Sequence, residues 1–193
     1  MDYRDRNTVR ELAGRVAEIA ALSQMSELRE IWKRHHGLER VRPMILVFPE
    51  NSWNELIPAD SLQCKDPLAR EYEMNLRKKL YYYDHIKDDT VIEGAYIVNK
   101  AISNTGWGLQ PQWVWSDQKA GAGTYKPVIE CADDLKKLRF PEVIHDEAES
   151  LRRLEHVQET LGDILDVQLK GVRTVSFHMM NLYTHLRGLD QVM

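Results

Sequence analysis

Val9, Leu12, Val16, Ile19 and Leu22 recur at three- and four-residue spacing, which predicts an amphipathic helix at the start of the chain. Thr8 and Glu11 have the capping-box spacing, in which a hydroxyl and a carboxylate satisfy exposed backbone N–H groups. A second helix is predicted from Ser26, carrying Leu28, Ile31 and Trp32 and ending at Gly37, a residue suited to the left-handed position after a helix. The period then changes. Met44 to Phe48 is a continuous apolar run without polar alternation, as in a strand buried on both faces. Pro43 sits at its start, where a missing N–H is tolerated.

Asp66 and Pro67 have the residue types of an N-cap and a first helical position, and Leu68, Tyr72, Leu76, Leu80 and Tyr83 follow at helical spacing. Asp88-Asp89 interrupts the pattern, and Val91 to Ser103 reads as a second strand. Trp107 to Val128 is rich in Gly, Trp and Gln without helical period, so it reads as a long loop or a short β excursion. Cys131 to Leu135 opens a short helix that Pro141 closes. Leu151, Leu154, Val157 and Leu161 line one side of a helix over Glu147–Leu161, and beyond Gly162 the helical pattern can resume through Leu165 and Leu169 to Gly171. Val172 to Phe177 is a third predicted strand, and Leu182 to Met193 a further helix.

The predicted order is α-α-β-α-β-α-α-β-α. Strands alternating with helices indicate the α/β class, with a parallel sheet and right-handed crossovers. A complete eight-stranded β/α barrel takes about 250 residues. The 193 residues therefore read as the N-terminal portion of a (β/α)8 TIM barrel, residues 41–193, preceded by a helical extension over residues 1–40.

A net charge of −4 and a pI near 6.0 argue against a general nucleic-acid binder, which carries a basic excess. Cys64 and Cys131 form neither a CxxC pair nor a disulfide framework, which points to a reducing cytoplasm. The charged N-terminus lacks the apolar core of a secretory signal, and no apolar run approaches the roughly 20 residues of a membrane span. A soluble cytoplasmic protein with neither nucleic-acid nor membrane partners is the expectation.

In parallel α/β folds, chemistry sits where strands give way to loops. The loop after Phe48 places Glu50, Asn51 and Trp53 there as candidate substrate contacts; the structural alternative is a tight turn with Trp53 packed on the rim. Trp107 lies between Gly106 and Gly108, free to stack on a flat ligand; the favoured alternative is a buried indole that anchors its loop. His178 and Asn181 follow the third predicted strand. His178 can act as acid, base or ligand, or be a hydrogen-bonded structural imidazole. No catalytic residue is assigned, and no metal ligand.

Taken together, RPMILVFPENSWNELIP, DPLAREYEMNLRKKLYYYDHIKDDTVIE, NTGWGLQPQ and LRGLDQVM resemble the uroporphyrinogen decarboxylase superfamily, and more narrowly its long members with an added N-terminal helical segment. The superfamily includes methyltransferases that act on methylated corrinoid proteins. The resemblance implies a (β/α)8 barrel of which this chain covers about the first half. It also implies that true decarboxylases carry Arg-Gln-Ala-Gly-Arg after the first strand, whose arginines bind substrate carboxylates. Here that loop is Pro49-Glu50-Asn51-Ser52-Trp53, without arginine and with an added carboxylate. The decarboxylases also use an aspartate after the second strand, where this chain has Ile97-Val98-Asn99-Lys100-Ala101. The methyltransferase branch uses zinc, held by one His and two Cys of the second half of the barrel, to make a thiolate methyl acceptor.

Two readings follow. In the first, the chain belongs to an enzyme of methyl transfer with a corrinoid protein partner rather than a porphyrinogen decarboxylase, with zinc and the corrinoid supplied outside this chain. In the second, it is a truncated, catalytically inactive half-barrel that self-associates as a homodimer through an open sheet edge and an exposed apolar face. Because the implied zinc ligands lie outside it, the purified chain is expected to hold no stoichiometric zinc after dialysis, and elemental analysis finding one tightly held ion per chain would contradict that ligand assignment.

Overall fold

The computed structural model describes residues 1–118, 121–172 and 178–192. Its elements, in chain order, are α1 (Tyr3–Ala20), α2 (Ser23–His36), α3 (Trp53–Leu56), α4 (Pro67–Tyr81), β1 (Ala95–Asn99), β2 (Ala101–Asn104), β3 (Gln112–Val114), β4 (Thr124–Lys126), β5 (Val143–Asp146), α5 (Glu147–Leu161), β6 (Asp166–Lys170) and α6 (Met179–Arg187). The fold is mixed α/β. Its strands pair as β1–β6, β2–β5 and β3–β4, and no closed barrel forms among the described residues. The chain divides into two compact units, one of Met1–Val98 with Arg152–Leu169, the other of Asn99–Leu151 with Lys170–Met193.

The first unit holds the main core. Val9, Ala13, Val16 and Ile19 of α1 lie buried with Ala69, Tyr72, Leu76 and Leu80 of α4. Met25 and Leu28 of α2, Tyr96 and Val98 of β1, and Val157, Leu161 and Leu165 complete the cluster. Both faces follow from apolar residues spaced three and four apart, which fall on one side of a helix. α1 starts before its apolar stripe: Asp2, not Thr8, is the N-cap, and its carboxylate accepts the Asp5 N–H at 2.8 Å. α2 ends near Gly37 as expected, but Gly37 has φ −74° and the left-handed residue is Leu38, at φ 60°. Asp66 caps α4 as predicted, accepting from the Leu68 and Ala69 N–H groups at 3.0 Å each, with Pro67 at the first helical position.

Two carboxylates in this core perform a structural task. Glu73 on α4 is fully buried. It accepts the Gln63 N–H at 2.9 Å, the Cys64 N–H at 2.8 Å and the Arg77 Nε at 2.7 Å. Asp5 on α1, also buried, accepts the Lys65 N–H at 3.0 Å and the Asp66 N–H at 2.8 Å. The irregular segment leading into α4 thus has its backbone donors satisfied by side chains, as buried donors require. Burial by itself raises the Glu73 carboxyl pKa, but the Gln63 and Cys64 N–H donors and Arg77 outweigh that and hold it below the ordinary range. Arg10 meets Asp163 with two contacts, at 2.7 and 2.6 Å, and donates to the Thr160 carbonyl near the end of α5.

β1 and β6 run parallel. The Asp166 N–H donates to the Gly94 carbonyl and the Lys100 N–H to the Lys170 carbonyl, so the bonds advance in the same sense along both strands. A parallel pair requires a crossover connection, and α5 lies on it, immediately before β6. β6 replaces the resumed helix expected through Leu165 and Leu169. The Gly162 N–H closes α5 on the Gln158 carbonyl, and Ile164 and Leu165 fold back on Leu161, so the chain enters β6 from a turn. The second expected strand is present but divided at Lys100 into β1 and β2.

In the second unit, β2 and β5 pair antiparallel with Ile102 opposite His145, and β3 and β4 with Trp113 opposite Tyr125. The β excursion anticipated between Trp107 and Val128 is this β3–β4 hairpin. Leu186 is the second unit's one large apolar side chain buried among the described residues, whereas Phe140, Val143 and Ile144 are exposed. The short helix after Cys131 is a 3-10 turn over Ala132–Lys137. α6 starts at Met179, earlier than Leu182, and ends at Arg187 before Gly188. The third predicted strand, Val172–Phe177, lies outside the described residues from position 173 onward.

Glu73→Ala is expected to lower unfolding stability by about 1–3 kcal/mol, because it leaves the Gln63 and Cys64 backbone donors and the partly exposed Arg77 without their acceptor. Urea denaturation monitored by circular dichroism should show the lowered midpoint, with Glu73→Gln falling between the variant and the wild type.

Candidate functional site

The run Met44–Phe48 is not a buried strand. Ile45, Leu46, Val47 and Phe48 are exposed, and none belongs to a sheet. One edge of this run is nevertheless satisfied. The Ile45 N–H donates to the Asp89 carboxylate at 2.8 Å, and the Ile45 carbonyl accepts the Asp89 N–H at 2.9 Å. The Val47 N–H donates to Asp88 Oδ2 at 2.7 Å, and the Val47 carbonyl accepts the Tyr82 hydroxyl at 2.7 Å. Two carboxylates, a phenol and one peptide group therefore stand where a neighbouring strand would. A run of apolar side chains with the right period carries no information about which groups pair its backbone, and this is why the strand expectation failed.

Asp89 is the hub of this arrangement. Its side chain forms a fork-to-fork pair with the Arg42 guanidinium, and its carbonyl accepts the Trp32 indole N–H at 2.7 Å. Asp88 also accepts the Thr90 N–H at 3.0 Å, which fixes the turn. The Arg42 guanidinium and the Ile45 N–H hold the Asp89 carboxyl pKa down, at about 2, against the opposing effect of burial.

The loop beyond Phe48 is thus delivered from a fastened segment. Glu50 has φ 48°, a left-handed backbone that is strained for a side chain with a Cβ. Glu50–Ser52 forms a 3-10 turn, and Trp53 begins the short α3. The Glu50 and Asn51 side chains are exposed and make no hydrogen bond among the described residues. Trp53 is half-buried. Tyr81 and Tyr82 pack edge-on to it at ring-centroid distances of 5.7 and 5.5 Å, and Lys78 Nζ lies 5.5 Å from its ring centre. These contacts anchor the indole to α4 and the π turn that follows. Glu50, Asn51 and Trp53 therefore form one local group.

The remaining candidates belong to the second unit. Gly106 and Gly108 adopt φ 70° and 82°, and the Trp107 carbonyl accepts the Arg139 N–H at 2.9 Å. Trp107 is 37 % exposed, with its ring centre 6.0 Å from that of Phe140. A Cβ on Gly108 would meet the Lys137 carbonyl at 2.9 Å, so only glycine fits this close approach. His178 precedes α6 with no side-chain capping bond, and His178 and Asn181 are both exposed.

The sequence reading did not single out Arg42, Tyr82, Asp88 and Asp89. Adjacent aspartates after a helix look like a turn. The signal that would have found them is their place beside an apolar run lacking any nearby strand partner. It also passed over His145 and Ser150, which meet at 3.0 Å between Nε2 and Oγ. Ser150 Oγ donates to the Asp146 carbonyl at 2.6 Å and accepts the Ala101 N–H at 2.8 Å. A hydroxyl has one proton, so His145 Nε2 must donate to Ser150. The pair is therefore arranged opposite to a nucleophile and its general base, and Ser150 serves as a structural link.

The residues present do not fit a thiolate zinc centre. The Cys64 thiol is buried and approaches the Asp5 carbonyl at 3.8 Å, and burial, with Glu73 beside it, pushes its pKa up to about 12. Cys131 is exposed and lies 3.6 Å from Asp134 Oδ2. Among the described residues no group of three His, Cys, Asp or Glu side chains is placed to hold a metal ion. No helix among them is long and apolar enough to cross a membrane. No protein-family model matches the sequence, and neither a curated protein nor a solved structure does.

The Asp89 pairing has a defined pH dependence. Its folded-state pKa, about 2, lies below the unfolded value of about 3.9. The stabilisation is therefore fully present above the unfolded value and is lost as pH falls through the folded one. The urea midpoints of the wild type and Arg42→Ala should differ at pH 7 and converge as pH falls toward about 2.

Proposed function

We propose that this chain is the N-terminal portion of a uroporphyrinogen decarboxylase-superfamily barrel, and that the protein it represents takes part in methyl transfer with a corrinoid protein rather than in porphyrinogen decarboxylation. The loop after Phe48 carries the second part of this reading. Its exposed tip presents the Glu50 carboxylate and the Asn51 amide, with no arginine from Pro49 to Trp53. A polycarboxylate porphyrinogen would meet repulsion there and find none of the planar bidentate donors that carboxylates select. A methyl group carried by a corrinoid is uncharged and needs no such donors.

The barrel part rests on the four sequence blocks and on the parallel β1–β6 pair with α5 on its crossover, the repeating unit of β/α barrels. Glu50, Asn51 and Trp53 would contact substrate within the first unit, and Trp107, His178 and Asn181 stay separate candidates within the second. Since the cysteines of this chain do not fit a zinc centre, no step is assigned to a metal here. The alternative reading, an inactive half-barrel that self-associates, draws support from the exposed apolar side chains Ile45, Phe48, Val143 and Ile144.

The purified chain should release no coproporphyrinogen from uroporphyrinogen above the enzyme-free background, and product above it would refute the proposed reaction class. Titration with methylcobalamin, followed by the corrin absorbance, should show saturable binding that weakens in Asn51→Ala and in Trp53→Ala. Absence of saturable binding would count against corrinoid recognition by this half.

A further inference from the structure

We infer that a groove in the second unit, walled by α6 and residues 129–138, binds a medium-chain carboxylate, with Arg187 and Tyr183 holding its head group and the apolar walls its alkyl tail. Spacing supplies the first wall. Met179, Leu182, Tyr183, Leu186 and Arg187 recur at three and four residues, so one face of α6 presents them together. Ile129, Leu135 and Leu138 complete a cavity of about 250 Å³. That lies just below the range of drug-sized pockets, too small for a docking helix and suited to one alkyl chain.

The walls are fixed by their own hydrogen bonds. The Val128 and Ile129 N–H groups donate to the Leu186 carbonyl at 2.8 and 3.0 Å. Arg187 Nη1 donates to the Ile129 and Glu130 carbonyls at 3.2 Å each. The 3-10 turn that carries Leu135 is held by Asp134, whose carboxylate accepts the Glu130 and Cys131 N–H groups at 2.9 and 3.1 Å. A preformed apolar cavity with a few polar groups on its wall is the usual form of a small-molecule site.

Charge selects the occupant. Arg187 brings the one formal charge on this lining among the described residues, and it forms no ion pair among them. Its Nη1 is spent on the two carbonyls, which leaves the N–H groups of Nε and Nη2 to donate. Tyr183, one turn earlier on the same face, has a hydroxyl without a hydrogen bond among the described residues. A half-buried guanidinium beside an apolar wall loses hydration, and a carboxylate compensates with charge-assisted hydrogen bonds. An alkyl ammonium would be repelled, and a neutral alcohol would leave the charge unbalanced. Acetate would leave the leucine wall in water. A carboxylate on an alkyl chain satisfies both halves of the groove. The inference depends on neither the barrel nor the methyl transfer proposed above.

Calorimetric titration of the full chain with octanoate tests the inference, with octanol, acetate and octylammonium as controls. Octanoate is expected to saturate below about 10 mM, with each control weaker by about tenfold or more. Arg187→Gln keeps an N–H donor for the two carbonyls and loses the charge. It should weaken octanoate by about tenfold or more while circular dichroism stays that of the wild type. Tyr183→Phe keeps the ring, loses the hydroxyl and should weaken octanoate severalfold. Should Arg187→Gln disturb folding, Tyr183→Phe and the wild-type comparison of octanoate with octanol decide the matter. Octanol binding as tightly as octanoate, or octanoate failing to saturate, overturns the proposal. So does a concentration-dependent dimer in sedimentation velocity that excludes octanoate, because a second copy would then cover the groove.

Discussion

Peptide N–H groups removed from water must find acceptors, and in the first unit of this protein carboxylates supply them where regular structure does not. Asp5 and Glu73 hold the backbone from Gln63 to Asp66, and Asp88 and Asp89 hold Ile45 and Val47. The first pair sits inside the core, where a carboxylate without donors would be heavily penalised, and each oxygen cluster meets two or more donors. The second pair lies nearer the surface, with the Arg42 guanidinium balancing its charge. The backbone of Ile45 and Val47 is held by this second pair together with Tyr82, and Trp53 is anchored separately by Tyr81, Tyr82 and Lys78.

How far the sequence revealed this depended on whether a feature is local. The α1 and α4 stripes, the Asp66 cap and the Glu147–Leu161 helix were legible, because apolar spacing and capping chemistry act within a few residues. Val91 to Ser103 was legible as strand for the same reason. The Met44–Phe48 run was misread because its apolar pattern fits a buried strand equally well, and only the identity of its backbone partners tells the two apart. Those partners are Asp88 and Asp89, far along the chain, whose charge suggested a helix stop. β6 was misread because Leu165 and Leu169 fit a helical stripe, whereas the closure of α5 at Gly162 redirects the chain. Of the candidate site, Glu50, Asn51 and Trp53 form a local group in the structure, since one 3-10 turn leads directly into α3. Arg42 and Tyr82, which fix that group, carry no sequence signature of their own.

The two units differ in what stabilises them. In the first, helix faces bury a contiguous apolar cluster and its irregular segments are fastened by ion-paired carboxylates. In the second, short antiparallel pairs expose most of their residues, and aromatic contacts take over. Trp113 and Tyr125 face each other across β3 and β4 with ring centres 4.6 Å apart, and Tyr125 stacks on His185 of α6 at 4.1 Å. Such cross-strand aromatic pairs stabilise small hairpins beyond their burial alone. Gly123 is required beside them, because a Cβ there would meet the Trp113 ring at 2.4 Å.

Charge at the tip of residues 49–53 constrains any chemistry that this loop could support. Glu50 stands exposed on a left-handed backbone, and Arg42 is already committed to Asp89. Lys78 lies over the Trp53 ring and is engaged with its aromatic face. The loop therefore offers an acceptor and an amide beside a partly buried indole. That set favours a ligand presenting hydrogen-bond donors or an uncharged apolar group over one bearing several carboxylates.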